Sequence, residues 1–105
     1  MSTRLEILKS YLKEEPSDSF LRYALALEFI AIGDHTSACQ ELEQLINENP
    51  EYLPAYYMAG KTKEELREIE KAREYYQKGI ELAKTLRNTH TLNELNASLE
   101  NLEEN

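Results

Sequence analysis

Three side chains have pKa values suited to acid–base or nucleophilic chemistry, and they are Cys39, His35 and His90. Cys39 and His35 are four residues apart, so on a helix they would share a face and could meet. A nucleophile also needs a group that orients its base, and neither a glycine-rich loop nor a third polar group precedes this pair. Cys39 is therefore interpreted as a small buried side chain.

Metal and phosphate sites are not indicated either. The two histidines are far apart in the sequence, and no cluster of cysteines or carboxylates with ligand spacing accompanies them. A single cysteine excludes an intramolecular disulfide, and no glycine-rich phosphate-binding motif is present. We expect a protein that is not an enzyme and that has no metal and no cofactor.

Length and composition favour one helical domain. The chain has 105 residues, only three Gly and three Pro, and it is rich in strong helix formers. No run of about 18–20 apolar residues is present to span a membrane, and no apolar leader-like run occurs at the start, so we expect a cytoplasmic protein. The net charge of −8 should repel nucleic acid and anionic membranes and weakly favour a cationic partner.

Apolar periodicity predicts six helices in an all-α fold. Their expected ranges are 3–16, 19–32, 35–48, 53–65, 69–86 and 91–103. Pro16 and Gly33 separate the first three helices. Arg67 stands where a glycine would be expected in the fourth turn, and it predicts backbone strain there. Asn88 is expected to be a left-handed stop, and Thr91 with Glu94 predicts a capping box for the last helix.

The sequence repeats itself with a period of 34 residues. Ala38 recurs as Ala72 at this spacing. Further pairs at the same offset are Ala26 with Gly60, Leu42 with Tyr76, Arg22 with Tyr56, and Pro16 with Pro50. A fixed period of this length is typical of stacked supersecondary units that cannot bury their apolar faces alone.

These residues resemble the tetratricopeptide repeat family, whose signature is an aromatic, Leu-Gly and Tyr on one helix and Ala, an aromatic and Pro around the next. At the signature positions the second copy has Tyr56, Ala59, Gly60, Lys63, Ala72, Tyr76 and Lys84. The first copy has Arg22, Leu25, Ala26, Phe29, Ala38, Leu42 and Pro50 at the same positions. Arg22, Lys63 and Lys84 depart from the pattern, and Lys84 in place of proline suggests a longer fifth helix.

The resemblance implies an antiparallel array of helix hairpins, a right-handed α-α superhelix, in one domain over residues 1–105. Residues 17–50 and 51–84 would be full repeats, 3–16 a half repeat and 91–103 a capping helix. We expect Ala26 or Gly60 to face Ala38 or Ala72 where the two helices of a hairpin touch, because a larger side chain would force them apart.

In similar proteins the first helix of each repeat lines a concave face that holds peptides. The resemblance therefore points to partner-binding residues Tyr23, Leu27, Ile30, Tyr57, Lys61 and Glu64. The alternative for the apolar members is that the first or sixth helix covers them. The expected function is a non-enzymatic protein-interaction module or scaffold that binds a peptide segment or a partner protein, without the full carboxylate clamp of some relatives.

A second interpretation is a structural protein that self-associates through its last helix. Leu92, Leu95, Leu99 and Leu102 form a narrow apolar seam in steps of three and four. This helix could cap the stack, fill the concave face or pair between two chains, so the sequence allows a monomer or a weak homodimer.

Overall fold

The protein folds into six α-helices, and the computed structural model describes residues 3–104. The helices are α1 (Arg4–Glu14), α2 (Ser19–Ala31), α3 (His35–Glu48), α4 (Leu53–Glu65), α5 (Ile69–Thr85) and α6 (Thr89–Glu104). No residue within 3–104 lies in a strand, and the predicted all-α fold is confirmed. Residues 1, 2 and 105 of the predicted domain lie outside the described range.

Successive helices form an open array. Only three or four residues separate one helix from the next, which makes neighbours antiparallel, and each helix packs mainly against its neighbours in sequence. The buried residues accordingly form three clusters along the array, and the molecule measures 44 × 28 × 20 Å. This is the predicted array of hairpins, and it leaves long surfaces on α2 and α4 uncovered.

The second hairpin depends on a close approach of α4 and α5 at Gly60. A Cβ atom added to Gly60 would lie 2.2 Å from Cε1 of Tyr76, so any larger side chain would collide with the ring. In the first hairpin Ala26 stands at the equivalent position and is buried in one cluster with Leu42, the equivalent of Tyr76. One repeat thus combines glycine with tyrosine and the other alanine with leucine.

The side chain nearest to Gly60 is that of Tyr76, one helical turn beyond the expected Ala72. Gly60 and Ala26 are buried as predicted, and Ala72 is fully buried too. The atoms nearest to Gly60 nevertheless belong to Tyr76, four residues beyond Ala72 on α5. A flat ring lying against a bare backbone fills the space that two facing small residues would leave empty.

Arg22 replaces an aromatic residue and makes the same polar contact as its equivalent. Nη2 of Arg22 donates to the carbonyl oxygen of Pro16 at 3.2 Å, and the Tyr56 hydroxyl donates to the carbonyl oxygen of Pro50 at 2.5 Å. Nη1 of Arg22 also pairs with Glu41 at 2.7 Å. The buried guanidinium is therefore both paired and hydrogen-bonded, as burial of a charge requires.

Three turns contain a residue in the left-handed region. Their φ values are 85° at Gly33, 61° at Arg67 and 56° at Arg87. The strained backbone expected at Arg67 is confirmed. The fifth helix has 17 residues against 14 in the third, so the expectation of a longer helix around Lys84 is confirmed as well.

The start of α6 differs from the prediction. Asn88 is not the left-handed residue, because Arg87 before it has the positive φ. The Asn88 side chain instead accepts a hydrogen bond from the Thr91 backbone N–H at 3.0 Å, which caps the helix. α6 therefore begins at Thr89, two residues before the predicted start.

The leucine seam of α6 is buried within the chain. Leu95 is fully buried and Leu102 nearly so, and both belong to the cluster that α5 builds, with Leu92 and Leu99 packed against it. α6 is thus a cap on α5. The seam therefore offers little free apolar surface for pairing two chains, because Leu95 and Leu102 are buried and Leu92 and Leu99 are partly buried.

We predict that Gly60→Ala destabilises the protein by about 1–2 kcal/mol, because the added methyl group enters the space of the Tyr76 ring. Alanine is intrinsically better in a helix than glycine by about 1 kcal/mol. A lower free energy of unfolding in urea would therefore come from the collision and not from helix propensity. Combining Gly60→Ala with Tyr76→Leu recreates the residue pair of the first hairpin and should recover part of the loss. A Gly60→Ala protein as stable as wild type would contradict this packing.

Relief of the strain at Arg67 should stabilise the protein. We expect Arg67→Gly to raise the free energy of unfolding by about 0.5–1 kcal/mol, which is the strain of a left-handed residue less the entropy of an added glycine. Arg67→Ala is the control, since it removes the same side chain but keeps the unfavourable φ. Equal thermal melts for the two variants would refute the explanation.

Candidate functional site

Of the residues with pKa values suited to catalysis, His35 and Cys39 are one turn apart on α3, and His90 is on α6. Cys39 is 3% exposed, and burial raises the pKa of its thiol despite the opposing charge of Lys63, so the thiol stays protonated at neutral pH. His90 lies at the surface with Nε2 3.6 Å from Glu94. Within residues 3–104 no group of three or more His, Cys, Asp or Glu side chains could hold a metal ion.

Lys63 takes the place of a tyrosine, and its buried ammonium pairs with two partly exposed carboxylates. Its Nζ is 3.3 Å from Glu68 and 3.8 Å from Glu43. Burial lowers the pKa of Lys63, but the neighbouring Cys39 and the two carboxylates outweigh burial and leave that pKa raised. The charge is thus retained inside the fold, where it ties α4 to α3 and to the turn that precedes α5.

A groove crosses α2, α4 and α6 on one side of the array. Its first part is a cavity of about 320 Å³. The lining residues are Tyr23 from α2, Pro54, Tyr57 and Met58 from α4, and Thr91 and Glu94 from α6. The capping helix therefore forms one wall of the groove.

The second part of the groove is a cavity of about 270 Å³ further along α4. It is lined by Ile30, His35, Met58, Lys61, Thr62, Glu64 and Glu65. Met58 lines both cavities, so they adjoin. We refer to the two together as the groove.

Two tyrosines from successive hairpins are held in place on the groove. The Tyr23 ring lies against Tyr52, with centroids 5.5 Å apart and planes at 50°, and burial together with Tyr52 raises the pKa of the Tyr23 hydroxyl. Tyr57 packs on one side against the α5–α6 core, and the Lys61 ammonium is 5.5 Å from its ring centroid. Both rings are ordered before any ligand arrives, which lowers the entropy cost of binding.

The charge of the groove is negative. Lys61 is its one lysine, whereas Glu64, Glu65 and Glu94 contribute carboxylates. Glu64 accepts a hydrogen bond from the hydroxyl of the buried Tyr76, so its position is set by the hairpin core. A segment with basic side chains fits this potential better than an acidic one.

The structure brings five of the six predicted site residues together. Tyr23, Ile30, Tyr57, Lys61 and Glu64 all line the groove. Leu27 lines neither cavity, and its side chain is 37% exposed on the adjacent face of α2. The first and sixth helices cover two of these side chains in part, because Ile30 packs against the cluster that contains Leu8 and Leu12 of α1, and Tyr57 against the cluster that contains leucines of α6.

The prediction missed Met58, Thr91 and Glu94. Met58 follows Tyr57 in an apolar run, where sequence alone does not distinguish core from surface. The two α6 residues depend on how the cap lies across the array. Recognising Asn88 as the helix cap would have placed both of them in the first two turns of α6.

Comparison with known proteins identifies the family. Family models described as tetratricopeptide repeat match residues 18–52 and 53–86, and each match contains one hairpin of the array, α2 with α3 and α4 with α5. The chain belongs to the tetratricopeptide repeat family. The family and the fold support a protein–protein interaction module, with a protein or peptide as partner.

Bacterial relatives share this organisation. A tetratricopeptide repeat domain protein from Salinibacter ruber is 34% identical, with a TM-score of 0.80, over 85% of this chain and 90% of that one. A TPR repeat-containing protein from Pseudomonas aeruginosa is 24% identical over 81 residues, 77% of each chain.

A further solved structure shares the fold and contains a ligand. The first TPR of Spaghetti (RPAP3), bound to the HSP90 peptide SRMEEVD, is 18% identical with a TM-score of 0.73. The match covers 91% of this chain and 57% of that one. In our protein, none of the helices within residues 3–104 combines the length and apolarity needed to cross a bilayer.

The tyrosines predict a loss of stability in alkali. Burial, with smaller contributions from Glu43 and other neighbours, raises the pKa of Tyr75 from 10.0 to about 12. Burial raises the pKa of Tyr23, Tyr52, Tyr56 and Tyr76 as well. The unfolded chain therefore loses these protons first, and the stabilisation is complete below pH 10 and declines toward pH 12. The free energy of unfolding in urea should decline as the pH rises, and it should decline less steeply in Tyr75→Phe. A free energy of unfolding that does not change over this pH range would contradict the burial of these hydroxyl groups.

Proposed function

We propose that the groove binds a peptide segment of a partner protein, extended or helical, by equilibrium association. The supporting observation is that Tyr23 and Tyr57, one from each repeat, line the same cavity of about 320 Å³, and that Met58 also lines the adjoining one. Tyrosines provide large, rigid contact surfaces at low entropy cost, and such residues often dominate binding energy. In this proposal Tyr23 and Tyr57 are the anchors and Ile30 extends the apolar contact.

The charge of the groove defines the class of segment. The HSP90 peptide bound by the first TPR of Spaghetti has three acidic residues and one arginine in SRMEEVD. Our groove has Lys61 as its single lysine, beside Glu64, Glu65 and Glu94, so an acidic segment would meet mainly repulsion. We propose a partner segment that combines apolar and basic side chains, with Lys61 accepting one carboxylate at most.

The role proposed is not enzymatic. The thiol of Cys39 is buried and protonated, and His90 is exposed at the opposite end of the helical array from α1. The polar groups that line the groove are tyrosines, threonines, one histidine (His35), one lysine and carboxylates, with Glu64 held by Tyr76. This set suits recognition through contact area and charge.

The anchors can be tested with labelled peptides of equal apolar content in a basic, a neutral and an acidic series. We expect fluorescence anisotropy to detect binding of the basic series, and we expect Tyr57→Ala to weaken it by about tenfold or more, the loss typical of a central aromatic contact. Leu86→Ala is the matched control, because that side chain is 47% exposed outside the groove.

The charge preference has its own pair of variants. Glu94→Lys should weaken the basic series and Glu100→Lys should not, since Glu100 is exposed on α6 but does not line the groove. Tighter binding of the acidic series, or equal binding by wild type and Tyr57→Ala, would contradict the proposal.

A further inference from the structure

A second surface of exposed apolar side chains lies at the α1 end of the array. It consists of Ile7 and Tyr11 on α1 and Phe20 and Leu27 on α2, and we call it the α1–α2 patch. Their exposed fractions are 41%, 54%, 68% and 37%. The other exposed large apolar side chains of the described chain, Ile32, Ile69 and Leu86, are isolated at helix ends.

An ion pair joins the two helices that carry the patch. Nε of Arg4 lies 3.2 Å from Oε2 of Glu28, which joins α1 to α2 along one side. Ile7 and Tyr11 follow Arg4 by three and seven residues and so extend along that side of α1. Phe20 precedes Glu28 by eight residues, about 12 Å along the antiparallel α2, which brings it level with Tyr11.

The other end of the array is finished differently. α6 presents Asn and Glu side chains outward, and among its exposed residues only Ala97 is apolar. A stacked array needs a polar outer face where it ends, and α6 provides one. The α1–α2 patch differs from the outer face of α6 in presenting several large apolar side chains to water.

The charged side chains beside the patch of one copy can pair with those beside the patch of a second copy. The chain as a whole carries −8, but the span from Arg4 to Glu14 has three basic and two acidic side chains. Two copies that meet through α1 therefore bring together segments of low net charge, and this contact adds little to the repulsion between the two acidic chains. Arg4 and Glu14 flank Ile7 and Tyr11 at opposite ends of α1, so antiparallel pairing of two α1 helices places each Arg4 opposite a Glu14.

We propose that the α1–α2 patch pairs with the same patch of a second copy to form a twofold dimer. The axis passes between the two α1 helices, Tyr11 and Phe20 bury their exposed rings, and two Arg4–Glu14 pairs border the contact. The dimer uses a different surface from the groove and stands whether or not the groove binds a peptide.

Sedimentation velocity between about 5 μM and about 500 μM, the range suited to a small apolar interface, tests the dimer. Wild type should shift from monomer to dimer with concentration. Tyr11→Ser with Phe20→Ser should raise the dimer Kd by at least about tenfold, because the two exposed rings supply most of the buried area. Far-UV circular dichroism checks that the variant keeps its helices.

Matched variants make the test specific. Ile69→Ser with Leu86→Ser removes exposed apolar side chains elsewhere and should leave the Kd unchanged. Glu14→Arg, which leaves the Arg4–Glu28 pair intact, should weaken the dimer, and Glu14→Arg with Arg4→Glu should restore part of it. A wild type that stays monomeric, one that grows without closing at dimers, or a dimer unaffected by Tyr11→Ser with Phe20→Ser would overturn the proposal. Tyr57→Ala should dimerise like wild type, which separates this result from any failure of the groove.

Discussion

The structure depends on the close contact between the bare backbone of Gly60 and the ring of Tyr76. This contact sets the distance between α4 and α5 and also the rotation of α4 about its axis. Once Gly60 faces α5, the residues on the other sides of α4 have defined positions. Tyr57 and Lys61, four residues apart, then share the groove side, and the Tyr76 hydroxyl reaches Glu64. A core contact thereby positions the candidate site.

The two repeats reach one geometry through different residues. Ala26 and Leu42 stand where the second repeat has Gly60 and Tyr76, so a smaller residue on one helix accompanies a larger one on the other. Arg22 and Tyr56 have equally different side chains, and yet each donates to the carbonyl oxygen of a proline six residues before it. What repeats every 34 residues is a packing role and a hydrogen bond, which different side chains can fulfil.

Period and turn signals were enough to predict the architecture, because helix boundaries follow local chemistry such as Pro16 and Gly33. The groove positions of Tyr23 and Tyr57 could also be predicted from the sequence, because two hairpins related by a fixed period place equivalent residues on one face. The position of the Tyr76 ring against Gly60 could not be predicted, because small residues at one offset do not reveal which side chain fills the space between them. Leu27 was assigned to the groove for a similar reason. Helical spacing places Leu27 near Ile30 on α2, but it does not show which residues of α2 lie beside α1 and which lie beside α4.

The most direct test of this account is a nuclear Overhauser experiment on the Hα protons of Gly60. The account predicts strong cross-peaks to the ring protons of Tyr76, together with upfield shifts of the Gly60 Hα protons from the ring current. Cross-peaks to Ala72 without any to the Tyr76 ring would show a different register between α4 and α5 and would contradict the position of the groove.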